Sequence, residues 1–501
     1  MELDWLKRWN LYSPQNIAIQ DGDTGREFSY ARLFELANKG ARLFKQQFQI
    51  GKGDRVAVLA TNELEYVFLF FALQRLGAIM VPINFRLTQR EVRHILTDSA
   101  PKLVVLQENL NSLLEGLSSD EVPQKLFLQG ANSFASALEA THDPAEVVFT
   151  PVENDPVMIL YTSGTTGNPK GAVLTYRMLF WNSINTTLRL NISQTDCTVI
   201  FLPFFHTGGW NVLTTPFIHR GAKVVFLKKF DADQILRLSE EQKATLLFGV
   251  PTTMDMMAQS PRFSSTDLSR IRYAIVGGEP MPLELIKTWD KKGVPIRQGY
   301  GLTEFGPNVF SLNEEDALRK IGSIGFPNFY IDAKVVDNDG SELGSNQVGE
   351  LVLRGPMIMQ GYWKNEKATQ ETIKDGWLHT GDLVRRDEEG YFYVVGRKKD
   401  MFISGGENVY PPEVEQILRS HPSVMEAAVI GVPDNKWGEV GKAFIVRQTS
   451  DLTADELLNH CAKNLAKFKI PKHFVFLAAL PKGDSGKILK RQLAASAGDH
   501  T

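Results

Sequence analysis

The chain has 501 residues, 43% hydrophobic and 23% charged, with a formal net charge of −3. That length implies more than one domain or one very large one, and the hydrophobic share supplies an ordinary globular core. The near-balanced charge leaves no basic footprint, so no nucleic-acid partner is expected.

In chain order, residues 30–44 carry apolar side chains at helical spacing, 56–60 predict a buried strand, 63–76 an apolar helix and 78–83 a strand. The apolar run 157–160 predicts another buried strand. Alternation resumes with strands at 223–227, 245–250 and 273–276 and helices at 232–240 and 283–291. Such alternation implies a parallel sheet covered by helices. After residue 330 the texture changes. Short strands at 333–336, 350–354 and 391–395 are separated by the turn clusters Asn338-Asp339-Gly340 and 387–390. A charged run, 397–400, then leads into a small α+β pattern. The expected domains are therefore 1–397 and 398–501.

Cys197 and Cys461 match no zinc or redox spacing, so a cytoplasmic setting is expected. The N-terminal MELDWLKRWN has no apolar stretch of the kind a signal peptide needs. The longest apolar run, 66–73, is too short to span a bilayer, so no transmembrane segment is expected. Peripheral membrane contact and a homodimer are compatible with this composition.

The most informative segment is 161–171, YTSGTTGNPKG, directly after the strand at 157–160. Glycines let backbone N–H groups approach an anion, and hydroxyls and an ammonium add donors. The alternative is a Gly/Thr-rich surface turn. The spacing is not that of a P-loop, because Lys170 follows Gly167-Asn168-Pro169. Further motifs follow in order: FFHTGGW at 204–210, GGEP at 277–280, QGYGLTE at 298–304, TGD at 380–382, GRKKDMFISGGENVYP at 396–411 and PKGDSGKILK at 481–490.

Together these segments resemble the signatures of the adenylate-forming (AMP-binding) superfamily, across residues 155–490. The superfamily includes acyl-CoA synthetases, aryl-CoA ligases, luciferases and nonribosomal peptide adenylation domains. The resemblance implies an α/β fold. A large N-terminal domain of helix-covered parallel sheets, with a small β-rich unit, would carry a small mobile α+β C-terminal domain. It also implies carboxylate activation. An acid attacks the α-phosphate of ATP, pyrophosphate leaves, and the thiol of coenzyme A then displaces AMP.

By the same resemblance, Thr162, Ser163, Gly164, Thr165, Thr166, Gly167 and Lys170 would hold the β- and γ-phosphates. Thr303 would contact the α-phosphate and Glu304 would hold Mg²⁺, which binds readily through one carboxylate plus phosphate oxygens. Tyr300 would stack on adenine, with Gly278, Glu279 and Pro280 on the other edge. Asp382 and Arg397 would contact the ribose. Lys487 would act on the carboxylate and α-phosphate as the first transition state forms, and Lys399 would be the hinge of a domain rotation between half-reactions. The segment 404–407, with Gly405 and Gly406, would line the pantetheine tunnel. Trp437, Phe468, Lys472 and Arg86 match contacts to the CoA nucleotide, although Ile470 stands where a relative carries arginine.

His206 resembles a residue beside the carboxylate path. FFHTGGWN offers no aspartate for an α-amine, which argues against α-amino acids. Trp210 matches a gating tryptophan of a long-chain acyl-CoA synthetase, and Trp181, Phe205, Val250, Thr252, Met254 and Phe310 are candidate pocket walls. The reading is an ATP-dependent ligase joining a small-molecule carboxylic acid, with a medium- or long-chain fatty acid favoured, to CoA. An aryl- or succinylbenzoate-type acid is the alternative, and an acyl-AMP ligase loading a carrier protein is a second alternative.

Overall fold

The computed structural model describes residues 1–122, 124–141, 146–162, 169–483 and 487–497. The chain divides into two compact units, Met1–Ala333 with Leu353–Leu378, and Lys334–Val352 with His379–Thr501.

The first unit is built on two sheets. In one, the strands run Gly361–Tyr362, Lys170–Thr175, Pro156–Thr162, Ile79–Ile83, Arg55–Leu59, Leu103–Leu106 and Lys125–Phe127. Its centre is parallel, while the pairings on either side of Lys170–Thr175 are antiparallel. Alternation along the strand explains the two-sided burial. Val56 and Val58 enter one core cluster, and Ala57 and Leu59 enter another. In the other sheet, Leu246–Gly249, Tyr273–Val276 and Ile296–Tyr300 lie side by side and parallel. The two-residue strand Phe310–Ser311 then turns back antiparallel on Ile296–Tyr300. Ligands of such sheets bind beyond the carboxyl ends of the strands. Here those ends are Gly249, Val276 and Tyr300.

The second unit carries a five-stranded sheet. Glu407–Val409, Phe402–Ser404, Gly438–Arg447 and Val424–Asp434 pair antiparallel, and His473–Leu477 adds a parallel strand. Helices Pro411–Arg419 and Ala454–Asn464 pack their apolar faces on it through Val414, Leu418, Leu457 and Cys461.

This is the α/β class expected from the alternating pattern. The strand predicted at 56–60 is Arg55–Leu59, and the helix predicted at 283–291 is Leu283–Lys291. Helix Tyr176–Arg189 escaped the pattern because much of its buried face is polar. Asn182, Ser183, Asn185 and Thr186 are all fully enclosed. Asn182 Nδ2 donates to the Asn211 carbonyl at 2.6 Å, and Asn308 N–H donates to Asn182 Oδ1 at 3.2 Å. Buried amides thus tie this helix to the π-helical turn Gly208–Val212 and to the loop that follows Tyr300.

A buried ion pair fastens the first residues to the core. Arg75, 2% exposed, sits near the end of helix Leu64–Leu76 and meets both oxygens of Asp4 at 3.1 and 3.0 Å. It also donates to the Val147 carbonyl at 3.0 and 2.6 Å. Removing one partner strands the other charge without water. Arg75→Met should therefore cost about 3–5 kcal/mol, read as a lower midpoint in urea or thermal unfolding. An unchanged midpoint would mean that the pair is not load-sharing in the folded state.

Candidate active site

The site begins where strand Pro156–Thr162 ends. Thr162 pairs in antiparallel register with Lys170. Of the predicted phosphate contacts, Ser163, Gly164, Thr165, Thr166 and Gly167 lie outside the described residues. Thr162 and Lys170 are described, and both meet the neighbourhood of Glu304. Glu304 lies half-buried in the short turn Thr303–Phe305, and its carbonyl accepts from Met359 N–H at 2.9 Å. Thr162 Oγ1 is 3.4 Å and Tyr362 Oη 2.9 Å from Glu304 Oε1. Lys170 Nζ stands 5.3 Å from the centroid of the Tyr362 ring. Burial, and then the adjacent carboxylate, raise the Tyr362 phenol, so it stays a donor. Among the described residues both hydroxyls use Oε1, and Oε2 would be the atom offered to a hard cation. The donor set fits magnesium held by one carboxylate and phosphate oxygens.

The adenine side lies at the ends of the parallel strands. Tyr300 closes strand Ile296–Tyr300 and meets Phe310 edge-on at 5.9 Å. Gly278, with φ +86°, Glu279 and Pro280 form an exposed loop after strand Tyr273–Val276. The sequence reading passed over Gln298 in QGYGLTE. Its amide donates to the carbonyls of Val276 at 3.2 Å and Glu279 at 3.1 Å, and accepts from Met281 N–H at 3.1 Å. It braces the adenine loop against the strand that bears Tyr300. Gly301 is another constraint, because a Cβ there would lie 1.4 Å from the Pro307 carbonyl oxygen.

The acyl-side residues separate into two groups. Half-buried His206 packs on Phe205 at 4.5 Å, and Phe205 meets Phe85 at 5.3 Å. The Arg86 guanidinium lies over the Phe85 and Phe205 rings at 5.4 and 5.8 Å. Beside them, Cβ atoms built at Gly208 and Gly277 would each lie 3.7 Å from the ring of Phe248, and one at Gly278 3.7 Å from Val250. Phe248, which no sequence motif singled out, thus lies against both Gly208 and Gly277.

Other wall candidates sit elsewhere. Trp210, expected as a gate, is fully enclosed. Its indole stacks on Phe204 at 4.2 Å, contacts Phe70 at 4.7 Å and Tyr66 at 5.8 Å, and donates to the Phe204 carbonyl at 2.6 Å. It is a core residue here, because three aromatic rings and a carbonyl use all of its faces. Met254 is likewise core, beneath Trp289, whose indole donates to the Met254 carbonyl at 3.2 Å. Thr252 is exposed on the first turn of helix Pro251–Ala258. Phe310 is buried under Tyr300, and Trp181 packs edge-on against Phe180 and Tyr330.

The remaining predicted residues belong to the second unit. Asp382 stands directly opposite Arg397 across the hairpin, with Oδ1 3.1 Å from the guanidinium. Glu350 supports this turn by accepting from Gly381 N–H at 3.1 Å. Burial pushes the Glu350 carboxyl up, but His379, the Gly381 amide and Lys398 outweigh it and hold it below its usual range. Lys399 lies exposed in the turn that follows. Gly405 and Gly406, both at positive φ, join strands Phe402–Ser404 and Glu407–Val409 in a two-residue hairpin. Gly405 lies under the indole of Trp437, where a Cβ would come within 2.8 Å. Lys436 and Lys472 flank that indole at 5.1 and 5.3 Å. Phe468 and Ile470 pack on the unit's core. Lys482 and Lys490 are engaged by Glu426 and Glu415, and the Lys487 side chain is exposed. No helix among the described residues is long and apolar enough to cross a membrane.

Known proteins resemble this chain over nearly its whole length. The AMP-binding enzyme family matches residues 6–363, and the AMP-binding enzyme C-terminal domain matches residues 413–487. A feruloyl-CoA synthase of an Amycolatopsis species is 38% identical over 493 residues, 98% of this chain and 97% of that protein. A long-chain-fatty-acid–CoA ligase of Mycobacterium tuberculosis is 36% identical over 501 residues, again 98% and 97%. O-succinylbenzoate coenzyme A synthetase (MenE) from Bacillus subtilis, in complex with ATP and magnesium ion, has a TM-score of 0.88 at 31% identity, covering 98% of this chain and 99% of that one. With both family regions matched and relatives aligned over nearly its whole length, the chain belongs to the AMP-binding (adenylate-forming) superfamily and is an AMP-forming acid–CoA ligase.

Proposed function

We propose that this ligase activates a carboxylic acid with an uncharged, apolar acyl body. The observation that carries the adenylation half is the meeting of Thr162, Tyr362 and Glu304 beside Lys170. Glu304 would hold magnesium, which when bound offsets charge on the triphosphate. Lys170 would draw the outer phosphates, and Tyr300 would hold adenine so that the α-phosphate is met in line. Such a displacement depends on positioning and charge stabilisation rather than on a covalent enzyme intermediate. His206, at the Phe205 corner, borders the path of the attacking carboxylate. Asp382 would accept the ribose hydroxyls, with Arg397 beside it.

For the acid itself, the wall of Phe248, Gly208, Gly277 and Val250 supports an apolar occupant. Medium- or long-chain fatty acids are the first class. Aryl acids are the second, and the burial of Trp210 favours them, because the specific support for a long-chain gate is gone. A phenylalanine edge framed by glycines also suits a flat ring. The CoA reading, against loading of a carrier protein, is supported by the Gly405–Gly406 hairpin and by Trp437 with its two flanking lysines. Pyrophosphate release across fatty, aryl and dicarboxylic acids, with and without CoA, tests all of this. Turnover should need CoA and an apolar acid. Preference for a dicarboxylic acid would overturn the apolar reading.

Gly208→Ala tests the wall. Its Cβ has ordinary contact distance to Phe248, so stability should hold. Selectivity between linear and aryl acids should shift by about tenfold, as expected for one methyl group in an apolar pocket. An identical acid profile would move the wall elsewhere.

Lys487→Ala tests the first half-reaction. Adenylate formation should fall by about a hundredfold or more, while thioester formation from supplied acyl-adenylate persists. Equal loss of both in a folded variant would refute the assignment. The hinge proposed at Lys399 is tested by Lys399→Pro, which fixes φ. Adenylate should still form but transfer to CoA should slow strongly. Transfer at the unmodified rate would place the hinge at another residue.

A further inference from the structure

Tyr362 lies outside every sequence motif singled out above, yet its side chain touches both charged groups of the phosphate end. Its placement follows from register. Gly361–Tyr362 pairs antiparallel with Lys170–Thr175, setting Tyr362 opposite Ala172. Residues two apart along a strand share a face, so Lys170 is the diagonal neighbour of Tyr362. Backbone contacts fix the segment. Tyr362 N–H donates to Thr369 Oγ1 at 2.9 Å, and Trp363 N–H donates to the Gly171 carbonyl at 2.7 Å. The Trp363 indole donates to the Asp98 carbonyl at 3.1 Å. Gly361 is required there, since a Cβ would lie 2.8 Å from Thr369 Cγ2.

From this frame the ring reaches in two directions. Its hydroxyl donates to Glu304 Oε1 at 2.9 Å, and its face receives the Lys170 ammonium at 5.3 Å. We infer that Tyr362 is a positioning residue that orients the magnesium-holding carboxylate and the phosphate-binding lysine together. The inference rests on the roles proposed for Glu304 and Lys170. Donation to one oxygen removes the carboxylate's freedom to rotate and leaves Oε2 turned to the cation. Groups that hydrogen-bond a metal ligand commonly set its geometry in this way. The ring holds the ammonium without neutralising it, as a carboxylate partner would, so the full charge remains available to phosphate.

Manganese binding, followed by electron paramagnetic resonance in the presence of α,β-methylene-ATP, tests this apart from turnover. Tyr362→Phe keeps the ring and removes the hydroxyl. It should weaken Mn²⁺ binding about tenfold and leave metal-free nucleotide affinity and melting temperature unchanged. Tyr362→Leu removes the ring as well, and should also weaken metal-free nucleotide binding about threefold. Glu304→Gln, the control, should lose Mn²⁺ binding. If Glu304→Gln loses the metal and Tyr362→Phe binds it normally, the inference about Tyr362 is overturned alone. If Glu304→Gln also binds normally, the reading of Glu304 falls and the inference with it. Equal weakening of metal-bound and metal-free affinity by Tyr362→Phe would show a merely structural tyrosine, and would overturn the proposal too.

Discussion

One half-buried carboxylate organises the nucleotide end of this protein. Glu304 comes from the turn after strand Ile296–Tyr300 of one sheet, yet its hydroxyl partners come from the two strands that flank Lys170–Thr175 in the other. Thr162 ends the strand that leads into the glycine-rich segment, and Tyr362 lies on the short strand that caps its return. A carboxylate whose rotation is already limited loses less freedom on binding a cation. The protein limits it with hydroxyl donors rather than with a lysine, which would cancel its charge. The Met359 amide on the Glu304 carbonyl fixes the backbone in the same step.

Around that point the chain is shaped by close backbone approach. Gly301 permits the Pro307 carbonyl to lie where a side chain would start. Gly209 does the same for the carbonyls of Leu202 and Pro203, since a Cβ there would be 2.8 and 2.4 Å from them. The loops bearing His206 and Tyr300 are then joined by buried amides, with Asn182 between Asn211 and Asn308. Such a network is stable only when its donors and acceptors are paired, so it favours one arrangement of the two loops. The consecutive Gly277 and Gly278, in the loop after strand Tyr273–Val276, lie against Phe248 and Val250 respectively.

The second unit uses a simpler device. Its exposed hairpin has two adjacent glycines at positive φ, a conformation that other residues resist. That turn lets the backbone lie flat beneath Trp437, and the ammonium groups of Lys436 and Lys472 lie 5.1 and 5.3 Å from the centre of the same ring. Ile470, where a relative carries arginine, is used by the unit's core. The positive charge stands instead on Lys436 and Lys472, within reach of the same ring.

The sequence by itself determined the class of fold and the chemistry, and it supplied the residues proposed to meet ATP. Those features are local. Apolar runs of strand and helix length fix the alternation, and the ordered glycine, hydroxyl and charge motifs carry the family resemblance that implies the phosphate and ribose contacts. Tertiary structure decided what depends on neighbours distant in the chain. Trp210 matches a gating tryptophan by resemblance, but rings from Tyr66, Phe70 and Phe204 enclose it. Met254 reads as a wall, but it lies beneath Trp289. Gln298 was in plain view within a motif, and only the strand arrangement shows that its amide braces the adenine loop. Tyr362 carried no local signal, because its role comes from pairing opposite Ala172, far away in sequence. Side-chain type and spacing record what a residue is able to do, whereas register and packing decide what it faces.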